Sequence, residues 1–242
     1  MKSATALFLM MLCVCVALAH EPSYCLTNCW RISEFAVSGE RLRSRTADFS
    51  FLKTVKKDTF NAWVNGVSID SFYAFTNKSA CVNIRLGNPS SRYLGLYAVT
   101  TNDENGAVQA LSLLGTGGGD MELMLPVELD SACRTEALAI DYRGWQAKIG
   151  TADMKLAFSW CAADGLDAVG TDGWTFDSAG DYAGGSNGLW KTVILSERAF
   201  ADRRFVCLRW SVPKVKNSSM LGISDVTVTA RLKPSGAVLL IR

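Results

Sequence analysis

Short apolar runs separated by turn residues recur along almost the whole chain, and this rhythm restricts the fold more than any other feature. The runs are strand-sized and spaced roughly 8–15 residues apart, as in sandwiches and barrels. They span Trp30 to Val37, Thr46 to Val55, Cys81 to Leu86, Tyr93 to Thr101, Ala107 to Leu114, Met121 to Leu129 and Ala137 to Tyr142. Trp145 to Ile149, Met154 to Cys161, Leu189 to Leu195, Phe205 to Val212, Asp225 to Leu232 and Ala237 to Ile241 follow. Between Phe60 and Asp70, two alternating segments flank Asn65-Gly66, which predicts a two-residue hairpin with a type I′ turn. Pairing back from that turn puts Phe60, Ala62, Val64, Val67 and Ile69 on a core face, with Trp63 opposite. A helical turn is expected only at Ser196 to Asp202. The pattern predicts an all-β chain of about a dozen strands: a disulfide-stabilised, single-domain antiparallel β-sandwich of jelly-roll or lectin-like kind over residues 20–242.

Residues 1–19 read as a secretory signal peptide. Lys2 gives a positive start, Ala6 to Ala19 is almost wholly apolar, and Ala17-Leu18-Ala19 is a small-x-small cleavage site. No later run approaches the roughly 18 apolar residues of a helical span. The expectation is a secreted, extracellular protein without a transmembrane segment. That compartment is oxidising, which gives the cysteines meaning. Of eight, Cys13 and Cys15 leave with the leader. Cys25, Cys29, Cys81, Cys133, Cys161 and Cys207 remain, enough for three disulfides. Cys161 and Cys207 each sit on the more polar face of an apolar strand. If those strands are neighbours, the two bridge the base of the segment between them, and Cys25, Cys29, Cys81 and Cys133 form the other bonds. Asn77-Lys78-Ser79 and Asn217-Ser218-Ser219 are glycosylation sequons, marking Asn77 and Asn217.

The formal charge of +2 falls to about +1 without Lys2, which argues against nucleic acid as a partner. Its distribution is uneven. Ala162 to Gly188 carries five Asp, seven Gly and three aromatic residues, and no Lys or Arg. So long a stretch without periodicity in a compact domain reads either as a solvated, partly mobile connection, which its glycines favour, or as a functional loop. Asp164, Asp167, Asp172, Asp177 and Asp181 present clustered oxygens of the kind calcium takes, the one cofactor this composition suggests. Trp174, Phe176 and Tyr182, with Asn187, offer flat apolar faces with polar edges, suited to carbohydrate or to an extracellular protein. Arg41, Arg43, Arg45, Lys53, Lys56 and Lys57 form a basic stretch that reads chiefly as a solvated strand face.

Histidine excludes more than it suggests. His20 is the only one, so a Ser-His-Asp or Cys-His catalytic set and an ordinary His-containing zinc site are ruled out. As the first residue after the leader, His20 resembles the N-terminal copper ligand of lytic polysaccharide monooxygenases, but their second histidine has no counterpart. Met121-Glu122-Leu123-Met124-Leu125 resembles the nucleophile strand of family 12 endoglucanases, which are jelly rolls of similar length. The likeness covers five residues and implies a carboxylate role for Glu122, with Asp120 two residues away on the same face. It lacks that family's second catalytic motif, and Pro126 is expected to break the strand. The favoured reading is a non-catalytic binding module acting through residues 162–188. A carbohydrate-active hydrolase using Asp120 and Glu122, and a structural coat or matrix protein, are the alternatives.

Overall fold

The computed structural model describes residues 24–56, 60–87, 91, 93–103, 106–130, 134–148, 150, 154–185, 187–216 and 218–233. The leader, His20, Lys57, Cys133, Ile149, Asn217 and the run Ala237 to Ile241 lie outside them. The strands are β1 (Trp30–Arg31), β2 (Ala36–Gly39), β3 (Leu42–Thr46), β4 (Asn61–Ala62), β5 (Tyr73–Thr76), β6 (Ser79–Ala80), β7 (Asn83–Leu86) and β8 (Gly95–Asp103). They continue as β9 (Gly106–Leu114), β10 (Met121–Glu128), β11 (Thr135–Lys148), β12 (Ala157–Ala163), β13 (Thr175–Phe176), β14 (Leu189–Ser196), β15 (Phe205–Val212) and β16 (Met220–Leu232). The expected helical turn is present as Glu197–Phe200. Among the described residues no helix is long and apolar enough to cross a membrane.

Two sheets form. One has seven strands, in the order β13-β12-β15-β10-β5-β6, with β1 also on β10. The other has nine, in the order β14-β11-β16-β9-β8-β7-β4, with β3 on β16 and β2 on β3. They face each other across one apolar core. Leu123, Leu125, Val127, Phe158, Leu208 and Trp210 come from the first sheet; Leu111, Leu138, Ile140, Tyr142, Val193 and Val228 come from the second. The Tyr142 ring meets Trp210 edge-on at 5.5 Å and stacks with Phe158 at 6.3 Å, tying the sheets together. The β-sandwich expectation therefore holds. The purely antiparallel part does not: β1 runs parallel to β10, and β7 parallel to β8. β1 and β10 lie far apart in the chain, and β7 and β8 are joined by a connection longer than a tight hairpin, so no hairpin dictates direction at either contact.

Three local expectations change. Pro126 does not interrupt β10. β5 pairs with Met121 to Met124 and β1 with Val127 and Glu128, so Pro126 falls where that side of the strand has no neighbour. A missing N–H costs nothing there. Ala137 to Tyr142 and Trp145 to Lys148 belong to one strand, β11, bulged near Asp141 and Arg143. At its middle, Gly144 leaves the space that the Tyr182 ring fills; a Cβ there would lie 2.5 Å from that ring.

The Asn65-Gly66 hairpin is absent. β4 pairs with β7 instead, and residues 65–71 form turns. Asn65 Oδ1 accepts the Trp63 indole N–H at 2.7 Å and the Ala74 N–H at 2.7 Å, so its side chain substitutes for a strand partner. Trp63 is buried, and Phe60, Val64 and Val67 face solvent, the reverse of their expected faces, while Ile69 is buried as expected. Burying Trp63 removes a large apolar ring from water while Asn65 takes its polar N–H.

The early basic stretch is largely paired or anchored. Arg45 bridges Asp70 and stacks on Trp30, Arg41 approaches Glu136 at 3.9 Å, and Arg43 donates to the Ser33 carbonyl.

Candidate ligand-binding site

The outward face of the seven-stranded sheet carries the site. Side chains alternate along β12, β15 and β10, so Ser159, Cys161, Cys207, Arg209, Glu122 and Met124 point away from the core. Register then lines up a row. Phe176 opposes Ser159, Ser159 opposes Arg209, Arg209 opposes Met124, and Met124 opposes Tyr73. Arg209 lies at the centre. Its guanidinium donates to Glu122 Oε1 at 3.0 Å and to Ser159 Oγ at 2.9 Å. Glu122 Oε2 accepts the Tyr24 hydroxyl at 2.6 Å. Glu122 and Arg209 are both buried, so this is a charge pair sealed from water.

The seal comes from two pieces of chain. Residues 24–28 lie on the sheet, pinned by Tyr24 N–H to the Val169 carbonyl and by the Tyr73 hydroxyl, which accepts the Thr27 and Asn28 N–H groups. The segment after β12 folds over the same face. Trp174 covers the Arg209 guanidinium at 4.0 Å, and Phe176 lies 5.7 Å from it. The Trp174 indole donates to the Gly170 carbonyl, and its ring meets Tyr24 edge-on at 6.4 Å. Phe176 is 68% exposed. The result is a fixed aromatic platform over a buried cation, with one ring open to solvent.

The segment 162–188 is thus not the structureless loop its composition suggests. It contains a 3₁₀ turn at Leu166–Ala168, strand β13, and a second 3₁₀ turn at Ser178–Gly180. Trp174 and Phe176 come together as expected; Tyr182 and Asn187 do not join them. Tyr182 is fully buried in the inter-sheet core, bridged to Leu156 through backbone bonds. Asn187 accepts the Gln146 N–H and fastens the chain ahead of β14.

The five aspartates are not gathered around a common point, and no group of three metal-binding side chains occurs among the described residues. Asp164 pairs with Arg203 at 2.5 Å. Asp181 pairs with Lys155 and accepts the Phe158 N–H. Asp177 caps the second 3₁₀ turn through Ala179 N–H, while Asp167 and Asp172 are exposed. Separation, with local cations at Asp164 and Asp181, relieves the repulsion that five clustered carboxylates would suffer.

Asp120 and Glu122 share a strand face but not a task. Asp120 accepts the Asn77 N–H, and Glu122 is committed to Arg209 and Tyr24. Asn77 itself is exposed, with its side chain tied to the Gly118 carbonyl.

Sequence reasoning missed the Tyr24–Glu122–Arg209–Ser159 network. A signal existed: Glu122 and Arg209 are opposite charges inside otherwise apolar strands. Two surface depressions, of about 470 and 380 Å³, flank the Glu128–Arg204 pair. Their charged walls include pairs already formed, Asp164–Arg203 beside the first and Arg45–Asp70 beside the second.

Burial raises the Tyr24, Tyr142 and Tyr182 hydroxyls, Tyr182 up to about 12; at Tyr24 the neighbouring Glu122 adds to it. A tyrosine raised in the folded chain keeps full stability below its unfolded value near 10 and loses it as pH climbs through the folded value. Thermal stability is therefore expected to fall between about pH 10 and 12. Melts tracked with tyrosinate absorbance check this. Titration of every tyrosine near pH 10 without loss of stability would refute it.

No family model matches the chain, and no curated protein matches it. Solved structures of similar arrangement exist. The Stig cyclase Fisc from Fischerella sp. TAU aligns over 78% of this chain and 98% of its own, at 10% identity and a TM-score of 0.43. The enzymatically active domain of tailspike protein 4 of bacteriophage CBA120 aligns over 67% of this chain and 19% of its own, at 8% identity and a TM-score of 0.41. This chain thus spans about a fifth of that tailspike domain. A study of carbohydrate-binding modules of the β-sandwich superfamily contributes a third, over 71% of this chain and 62% of that one, at 11% identity and a TM-score of 0.35. The chain is an all-β sandwich whose structural neighbours include carbohydrate-binding modules.

Proposed function

We propose that this is a secreted, non-catalytic, lectin-like module that binds carbohydrate on the Trp174–Phe176 platform. One observation carries the reading: Phe176 stays two-thirds exposed while Trp174 beside it is locked over a neutralised cation. A ring held still loses little entropy on stacking against a sugar face. Exposed Asp167 and Asp172 on the same segment supply acceptors for hydroxyl groups. Commitment of Glu122 to a buried ion pair speaks against its use as a nucleophile. Secretion rests on the leader-like start of the sequence.

The test is a screen of the full chain against a panel of soluble glycans, followed by titration calorimetry on any that bind. Phe176→Ala is expected to weaken that binding by about tenfold or more, the scale of one lost stacking contact. Its melting temperature should not move, because the ring is exposed. A panel without a single binder, or a variant that binds as the parent does, overturns the reading.

A further inference from the structure

A second aromatic and cationic cluster lies on the other sheet. Arg85 of β7 has its guanidinium 4.3 Å from the Phe60 ring and 5.3 Å from the Tyr93 ring. Both rings are exposed, Phe60 at 67% and Tyr93 at 71%. Arg85 is opposite Tyr97 in the β7–β8 register and hydrogen-bonds its hydroxyl. That hydroxyl in turn donates to the Tyr93 carbonyl at 2.6 Å, which ties the relay to the segment carrying the second ring.

The arrangement dictates what Arg85 can still do. Two rings lie against its guanidinium, and Tyr97 takes part of its N–H edge. The rest of that edge lies in the guanidinium plane, where a carboxylate binds with two parallel bonds. Among the described residues no carboxylate comes within 4.0 Å of Arg85, unlike Arg31, Arg45, Arg203, Arg204 and Arg209, which all have one. The cation is held beside two aromatic rings, yet the described residues supply it no carboxylate.

From this geometry we infer a second binding site, distinct from the Phe176 platform, that takes a carboxylated sugar. The carboxylate meets the open edge of Arg85, and the sugar ring lies against the outward face of Phe60 or Tyr93. An extended acidic peptide is disfavoured by the backbone. Strand β4 is only two residues long, Trp63 N–H is already given to the Val82 carbonyl, and Val64 N–H to Ser68 Oγ. Little edge is left for strand addition.

The test compares 3′-sialyllactose, methyl glucuronide, lactose and a glutamate-rich peptide as probes of the full chain, by calorimetry or chemical-shift titration. At least one of the two acidic sugars should bind more tightly than lactose and the peptide. Arg85→Lys keeps the charge and removes the planar fork, and should weaken that sugar by about tenfold. Phe60→Ala, at an exposed ring, should weaken it too, with an unchanged melting temperature. Phe176→Ala should leave it untouched, which separates this site from the platform. Equal binding of the acidic sugars and lactose, preference for the peptide, or indifference to Arg85→Lys overturns the inference.

Discussion

Removing the Glu122 carboxylate is expected to cost about 3–5 kcal/mol of folding stability. Glu122→Ala leaves Arg209 charged beneath Trp174, with only Ser159 and the ring to answer it. A surface pair would cost less than about 1 kcal/mol, because water would replace the lost partner. Here water is excluded by Tyr24 and by the segment carrying Trp174. The double variant Glu122→Leu with Arg209→Met should recover much of the loss, since it leaves no unpaired charge. Urea denaturation of the two variants beside the parent chain checks both statements. A single-variant cost under about 1 kcal/mol would show that the pair is hydrated in solution and the platform above it is loose.

The second large effect concerns Cys161 and Cys207. The cysteines Cys25, Cys29, Cys81, Cys161 and Cys207 are thiols in this structure, so the predicted disulfides are not formed in it. Cys161 and Cys207 are nonetheless directly opposed in the β12–β15 register. Opposed antiparallel residues have Cα atoms about 4.5–5.5 Å apart, within the span a disulfide bridges. In an oxidising medium, exchange with a small disulfide such as oxidised glutathione is expected to close this pair. Burial pushes the Cys161 thiol up to about 11 and raises the Cys207 thiol well above its ordinary value. Few thiolates exist once the segment above is in place, so closure belongs to the folding chain rather than the finished one. The bond would close a loop of about 45 residues and stabilise by roughly 4 kcal/mol in the chain-entropy account. Peptide mapping without reductant tests the pairing, and Cys161→Ala with Cys207→Ala tests the magnitude. Either cysteine found bonded to a different partner refutes it.

Much of this architecture was legible because strand alternation is a local property. The core side of Phe205 to Val212, made of Val206, Leu208, Trp210 and Val212, was legible from the alternation that turns Cys207 outward. So was the opposite placement of Cys161 and Cys207. Legibility ended where a local preference met a distant partner. Asn65-Gly66 is a strong hairpin signal, but Asn65 finds its bonds at Trp63 and Ala74, and the hairpin gives way. The site was half legible for the same reason. Trp174 and Phe176 announced themselves as aromatics in a Gly-rich stretch. Nothing local said that Tyr182 would drop into the gap beside Gly144, or that the outward face of β10 and β15 would be roofed over. Alternation tells which way a side chain points, not what lies above it.

The packing of Tyr182 against Gly144 has a consequence for how such a chain can diversify. The segment is fastened at both ends: by β12 on one side, and by Tyr182 sunk into the core on the other. Between those piers, Gly170 to Phe176 carries the platform and supplies no side chain to the inter-sheet core. Substitutions at the exposed positions of that arc, Asp172, Thr175 and Phe176, would change the surface that the platform offers while Trp174 stays over Arg209. Specificity and stability are thereby assigned to different residues of one continuous stretch, and each is free to drift under its own selection.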